Sequence, residues 1–113
     1  MKSRTIIQLF HILFLAPLLM YIGIKQNKTP KQIFLLLLVI GISSFCYHLY
    51  RYIMTRHQVN LFHLVAVLPL LIYVGINKRN TPQFAFLLLF AVGVVALWYH
   101  INTLNIIDIK RSL

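Results

Sequence analysis

Histidine is the residue with the widest chemical range in this chain, and four of its five copies stand in matched settings. His11 follows Leu9-Phe10 and His63 follows Leu61-Phe62, while His48 follows Tyr47 and His100 follows Tyr99. All four lie in long, largely apolar runs, where an ionisable side chain is by default a functional candidate. Imidazole nitrogen binds zinc, copper, iron and nickel, and it exchanges protons near neutral pH. Four such nitrogens can complete a shell around one transition metal ion, or two can hold a haem iron axially. The same rings can pass protons. His57 lies in a polar connection and reads as a solvated side chain.

Other chemistries are excluded by what the runs lack. Asp108 is the only acidic residue, so no carboxylate is available inside an apolar run. That rules out a carboxylate-bridged di-iron site and a hydrolytic carboxylate pair. There is no serine-histidine-acid set, no glycine-rich phosphate loop and no potassium-filter signature, so no catalytic residue is assigned. Cys46 is the single cysteine and cannot form an intrachain disulfide. Its place in an apolar run predicts a small packed residue.

Composition identifies the solvent. Hydrophobic residues make up 60% of the 113 and charged residues 11%, against about 45–50% and about a quarter in soluble domains. The net charge is +10. Its lysines and arginines sit at the ends of apolar runs rather than among aromatics on one face, so nucleic acid is not an expected partner. The bilayer is.

The elements that must position the histidines follow from the runs. Residues 1–4 make a basic start, and Thr5 to Ile24 is an apolar stretch of about the length that crosses a bilayer as a helix. A basic start before an apolar run also describes a signal peptide. The recurrence of the segment at Leu61–Ile76 and the lack of a small-x-small cleavage pattern predict a retained transmembrane helix instead. Further spans are expected over Ile33–Tyr50, Leu61–Ile76 and Gln83–Ile101. Thr29-Pro30 and Thr81-Pro82 predict helix starts, with threonine as cap and proline in the first position. Asn102 to Leu113 reads as a polar tail continuing the last helix.

The chain repeats itself with an offset of 52. His11 maps to His63, Pro17 to Pro69, Thr29-Pro30 to Thr81-Pro82, Gly41 to Gly93 and Tyr47-His48 to Tyr99-His100. Residues 1–56 and 57–113 are therefore two copies of a two-span unit within one integral membrane domain. Units that enter the membrane the same way round are related by an axis along its normal. The fold class expected is all-α: four transmembrane helices as two tandem, parallel, pseudo-twofold hairpins, packed as a four-helix bundle.

Within the spans, Gly41, Ser44 and His48 share one helical face, and Gly93, Ala96 and His100 repeat it. Small residues at this spacing let helices approach closely in lipid, so His48 and His100 belong to the packed side. Pro17 and Pro69 each remove a backbone bond in mid-span and predict kinks, freeing the carbonyls of Leu13 and Val65. Tyr21, Tyr73, Tyr47, Tyr50, Tyr52, Trp98 and Tyr99 fit aromatic belts at the two interfaces. Tyr47, Tyr99 and Ser44 are also placed to hydrogen-bond the imidazoles. At about 1.5 Å per residue, His11 and His48 come within roughly 8 Å in height, and the repeat sets His63 and His100 at the same levels. Four converging histidines are the expectation.

Orientation is balanced. The face with both termini carries Lys2, Arg4, Arg51, Arg56, Lys110 and Arg111, and the face with the two short turns carries Lys25, Lys28, Lys31, Lys78 and Arg79. In size, span number and weak charge bias the chain resembles small multidrug resistance transporters. Those depend on a carboxylate in the first span, which this chain lacks. Three functions fit the pattern: a metal- or haem-binding membrane protein with His11, His48, His63 and His100 as ligands; a small transporter or proton pathway using the same histidines; or an assembly subunit of a larger membrane complex. A homo-oligomer is compatible with each.

Overall fold

The structure is a computed structural model describing residues 2–113, so Met1 of the basic start lies outside the described residues. The described chain is helical, with no strand. Four helices are long and apolar enough to cross a membrane: α1 Ser3–Lys28, α2 Lys31–Thr55, α3 Gln58–Asn80 and α4 Gln83–Thr103. A short helix, α5, covers Ile106–Ser112. The tail therefore does not continue α4. Asn105 breaks away in extended conformation, and its side chain caps α5 by accepting from the Asp108 N–H at 3.1 Å.

Two helix starts differ from the expected form. Thr29 is extended, as a residue before proline prefers, and its N–H bonds back to Gln26. Pro30, rather than Thr29, takes the cap position of α2, its carbonyl accepting from the N–H groups of Ile33 and Phe34. Pro82 accepts in the same way from Ala85 and Phe86. The hydroxyls of Thr29 and Thr81 are buried and make no cap bond.

The prolines act on the turn before them. At His11–Leu15 and His63–Val67 the helices widen into π turns, with the Ala16 N–H reaching His11 and the Leu68 N–H reaching His63, five residues back. Pro17 and Pro69 have no N–H to give to Leu13 and Val65, and a widened turn is one way a helix absorbs that loss. The histidines thus sit at the first residue of each π turn, a feature that recurs at functional positions.

Packing falls into two compact units, 1–24 with 87–113, and 25–86. In the first, α1 meets α4 through Leu15, Ala16, Leu19, Ile22 and Leu89. Glycines set the approach: a Cβ on Gly23 would stand 2.5 Å from that of Phe90, and one on Gly93 would stand 2.8 Å from Met20 Cγ. In the second, α2 meets α3, with Phe34, Leu37, Leu68, Leu71 and Val74 buried. There a Cβ on Gly75 would come within 2.8 Å of Leu38 Cβ, and one on Gly41 within 3.1 Å of Ile72 Cγ1. Gly41, Ser44 and His48 line the packed side of α2 as their spacing predicts.

Cys46 corrects an expectation, because it is exposed. It lies two residues from both Ser44 and His48, about 200° round the helix from each, so it falls on the opposite face. An apolar run whose outer face meets lipid does not need to bury every residue in it.

Candidate functional site: two histidine pairs

Each unit holds one pair of imidazoles. In the first, His11 on α1 and His100 on α4 have ring centroids 4.5 Å apart with planes inclined by 34°. In the second, His48 on α2 and His63 on α3 are stacked at 4.4 Å with planes only 15° apart. All four side chains are partly buried. Each pair therefore joins a Phe-His from one half of the sequence to a Tyr-His from the other. Among the described residues, no three His, Cys, Asp or Glu side chains gather as a metal-ligand group. The expected four-nitrogen shell is represented by pairs.

The backbone orients two of the rings. His11 Nδ1 lies 2.7 Å from the Ile7 carbonyl, and His63 Nδ1 lies 2.7 Å from the Val59 carbonyl. A carbonyl only accepts, so each Nδ1 carries the hydrogen and, in the neutral ring, Nε2 carries the lone pair. This is the way proteins fix a histidine tautomer for work at the other nitrogen.

His48 is held by a side chain that the sequence reading did not single out. Its Nδ1 lies 2.8 Å from Asn60 Oδ1, and Asn60 is 9% exposed. The matched position in the first half is Gln8, 5% exposed, whose amide donates to Thr103 Oγ1 at 2.9 Å and to its carbonyl at 3.3 Å. The signal was present: a carboxamide stands three residues before each Phe-His histidine, Gln8 before His11 and Asn60 before His63. Residues three apart share a helix face, so each amide faces the partner helix with its histidine.

Aromatic rings frame the pairs. Tyr47 meets His48 edge-on at 5.3 Å and Tyr99 meets His100 likewise at 5.2 Å. Phe10 and Phe62 stand edge-on to His11 and His63. Such contacts confine the rings without taking up a nitrogen. Ser44 is half-buried on the same face as His48. His57 is exposed and caps α3, its Nδ1 accepting from the Val59 N–H at 3.3 Å.

The one carboxylate works elsewhere. Asp108 accepts from the Lys2 backbone N–H at 2.9 Å. That bond, and then the Thr5 hydroxyl, hold its carboxyl below the usual carboxylate range. No protein-family model, curated protein or solved structure matches this chain.

Proposed function

We propose that the chain is a multi-pass integral membrane protein, two tandem hairpins related by a pseudo-twofold axis along the membrane normal, and that its histidine pairs carry protons as part of a small transporter or proton pathway. The observation that carries the proton reading is the close pairing of imidazoles, stacked at 4.4 Å in one pair and tilted at 4.5 Å in the other. The lone pair of an imidazole lies in its ring plane. In the His48–His63 stack the two planes run nearly parallel, so two Nε2 lone pairs do not converge on one metal ion unless a ring turns. A proton needs only one nitrogen. One imidazolium over a neutral ring gains a cation–π attraction, whereas two imidazolium rings at this distance repel. Each pair is thus suited to hold a single proton, and passing it on requires a ring to turn so that an in-plane nitrogen faces the acceptor.

Membrane embedding is supported by the outer surface. Leu13, Val65 and Trp98 are 73%, 69% and 66% exposed, and at most 33% of any spanning window is buried. Water-soluble monomers rarely present contiguous apolar surface on this scale.

The test is proton flux in liposomes loaded with a pH-sensitive dye. A pH gradient imposed across vesicles holding the wild-type protein should collapse faster than across empty ones. Replacing His11, His48, His63 and His100 together by glutamine should return the rate to that of empty vesicles while circular dichroism still shows a helical protein. Absence of flux, or flux unchanged in that variant, overturns the reading. Stoichiometric zinc, copper or haem in the purified protein overturns it in favour of a metal centre.

A further inference from the structure

Five of the eleven basic residues fall on two short turns, and all five belong to one compact unit. Lys25, Lys28 and Lys31 stand where α1 ends and α2 begins, and Lys78 and Arg79 lie in the tight last turn of α3. The two turns, Gln26–Lys28 and Lys78–Asn80, pack against each other. All five cationic side chains are exposed. Residues 25–86 contain no aspartate or glutamate, and Asp108 is engaged with Lys2 in the other unit. The cluster is therefore uncompensated by any acid of its own unit, and like charges on adjoining turns repel.

The turns that carry the cluster are firmly built. Thr29 and Thr81, which close them, are buried to 0% and 7% exposure. Gln26 and Lys78 hold left-handed backbone, with φ of 51° and 52°, a conformation that residues other than glycine adopt at a cost and keep only where the surroundings impose it. In the same unit, exposed Tyr73 and Ile76 precede Lys78 by five and two residues and begin the apolar surface. Cations on the turn, with exposed aliphatic and tyrosine side chains in the adjoining helix turn, suit a lipid whose headgroup is charged and whose chains are apolar.

We infer that this double turn is a binding site for the phosphate headgroup of an anionic phospholipid. Of the other six cations, Lys2, Arg4, Lys110 and Arg111 belong to the unit that also holds the carboxylate, and only Arg51 and Arg56 share the unit of the double turn. The double turn gathers five of its unit's seven cations, with no acid in that unit. Membrane anionic lipid neutralises juxtamembrane lysine and arginine strongly at low salt and weakly at high salt. The inference takes membrane embedding from the function proposed above and is independent of the proton reading.

Native mass spectrometry of the protein released from mixed phosphatidylcholine–phosphatidylglycerol nanodiscs tests it. Flotation with vesicles comes first: a protein that does not float with either lipid fails the membrane reading itself. A floating protein should retain phosphatidylglycerol above its bulk share. The triple variant Lys28→Gln, Lys78→Gln, Arg79→Gln should lose that enrichment, by about fivefold for each cation before the losses overlap. The control triple Arg51→Gln, Arg56→Gln, Lys110→Gln should keep it. No enrichment, or equal loss in both triples, overturns the site. Displacement of the lipid by millimolar inorganic phosphate overturns the lipid assignment and leaves a phosphate site.

Discussion

At the scale of single residues, hydrogen-bond partners decide which nitrogens and oxygens do chemistry. Asn60 is the clearest case, because burial leaves its amide few partners other than His48. Asn60→Leu should cost about 1–3 kcal/mol, the price of breaking a buried bond and stranding one partner, read as a lower midpoint in detergent unfolding. Asp108 acts by a different route. Its carboxyl is held low by the Lys2 N–H first and the Thr5 hydroxyl second, so the charged form is the one the fold favours. Its contribution is present at neutral pH and above, and is lost as pH falls through the lowered value. Hydrogen exchange of residues 2–8 and 106–112, corrected for intrinsic rates, should quicken on acidification in the wild type. In Asp108→Asn it should already be quick at pH 7 and change little. The histidines were legible as candidates because each pattern occurs twice. Their amide partners were passed over because Gln8 and Asn60 look like ordinary polar residues at helix starts until a second helix is set against them.

At the scale of elements, close approach is set by glycine. A Cβ at position 75 would meet the Leu38 Cβ at 2.8 Å and its Cα at 2.9 Å, and backbone cannot step aside as a side chain can. Gly75→Ala should therefore cost about 1–3 kcal/mol or more through overpacking. Gly41→Ala should cost less, since its nearest contact, 3.1 Å away, is a side-chain carbon of Ile72. Thermal unfolding of both variants in one detergent checks the order. The small-residue face of α2 and its match in α4 were readable from spacing alone. The π turns were not: a proline announces a lost bond, but whether the helix bends, breaks or widens depends on how the turn before it can relax. The same limit applied to the caps, where a threonine before proline suggested a side-chain bond and the chain used the proline carbonyl instead.

At the scale of the whole molecule, the outward surface governs behaviour. Cys46 is exposed near the middle of a helix whose apolar length suits a bilayer. A charged reagent does not enter the hydrocarbon layer, where burying an unpaired charge is costly. In liposomes Cys46 should resist a charged, water-soluble maleimide and react once the protein is denatured in detergent; prompt labelling in intact vesicles would place it in water and contradict membrane embedding.

The sequence by itself determined the four apolar helices, their approximate ends, the helix faces that carry glycine and histidine, and the absence of carboxylate chemistry within them. These are local or periodic properties, fixed by composition and by the 3.6-residue turn. Only the tertiary structure decided which histidine meets which. Depth along a helix predicts similar levels for the rings but says nothing of partnership, which depends on which helices touch and is settled by how side chains from distant parts of the chain interlock. His11 with His100 and His48 with His63 are outcomes of the packing of α1 on α4 and of α2 on α3. The same packing brought Asn60 to His48 and drew Lys28 and Lys78 onto adjoining turns, contacts between residues that no local pattern connects.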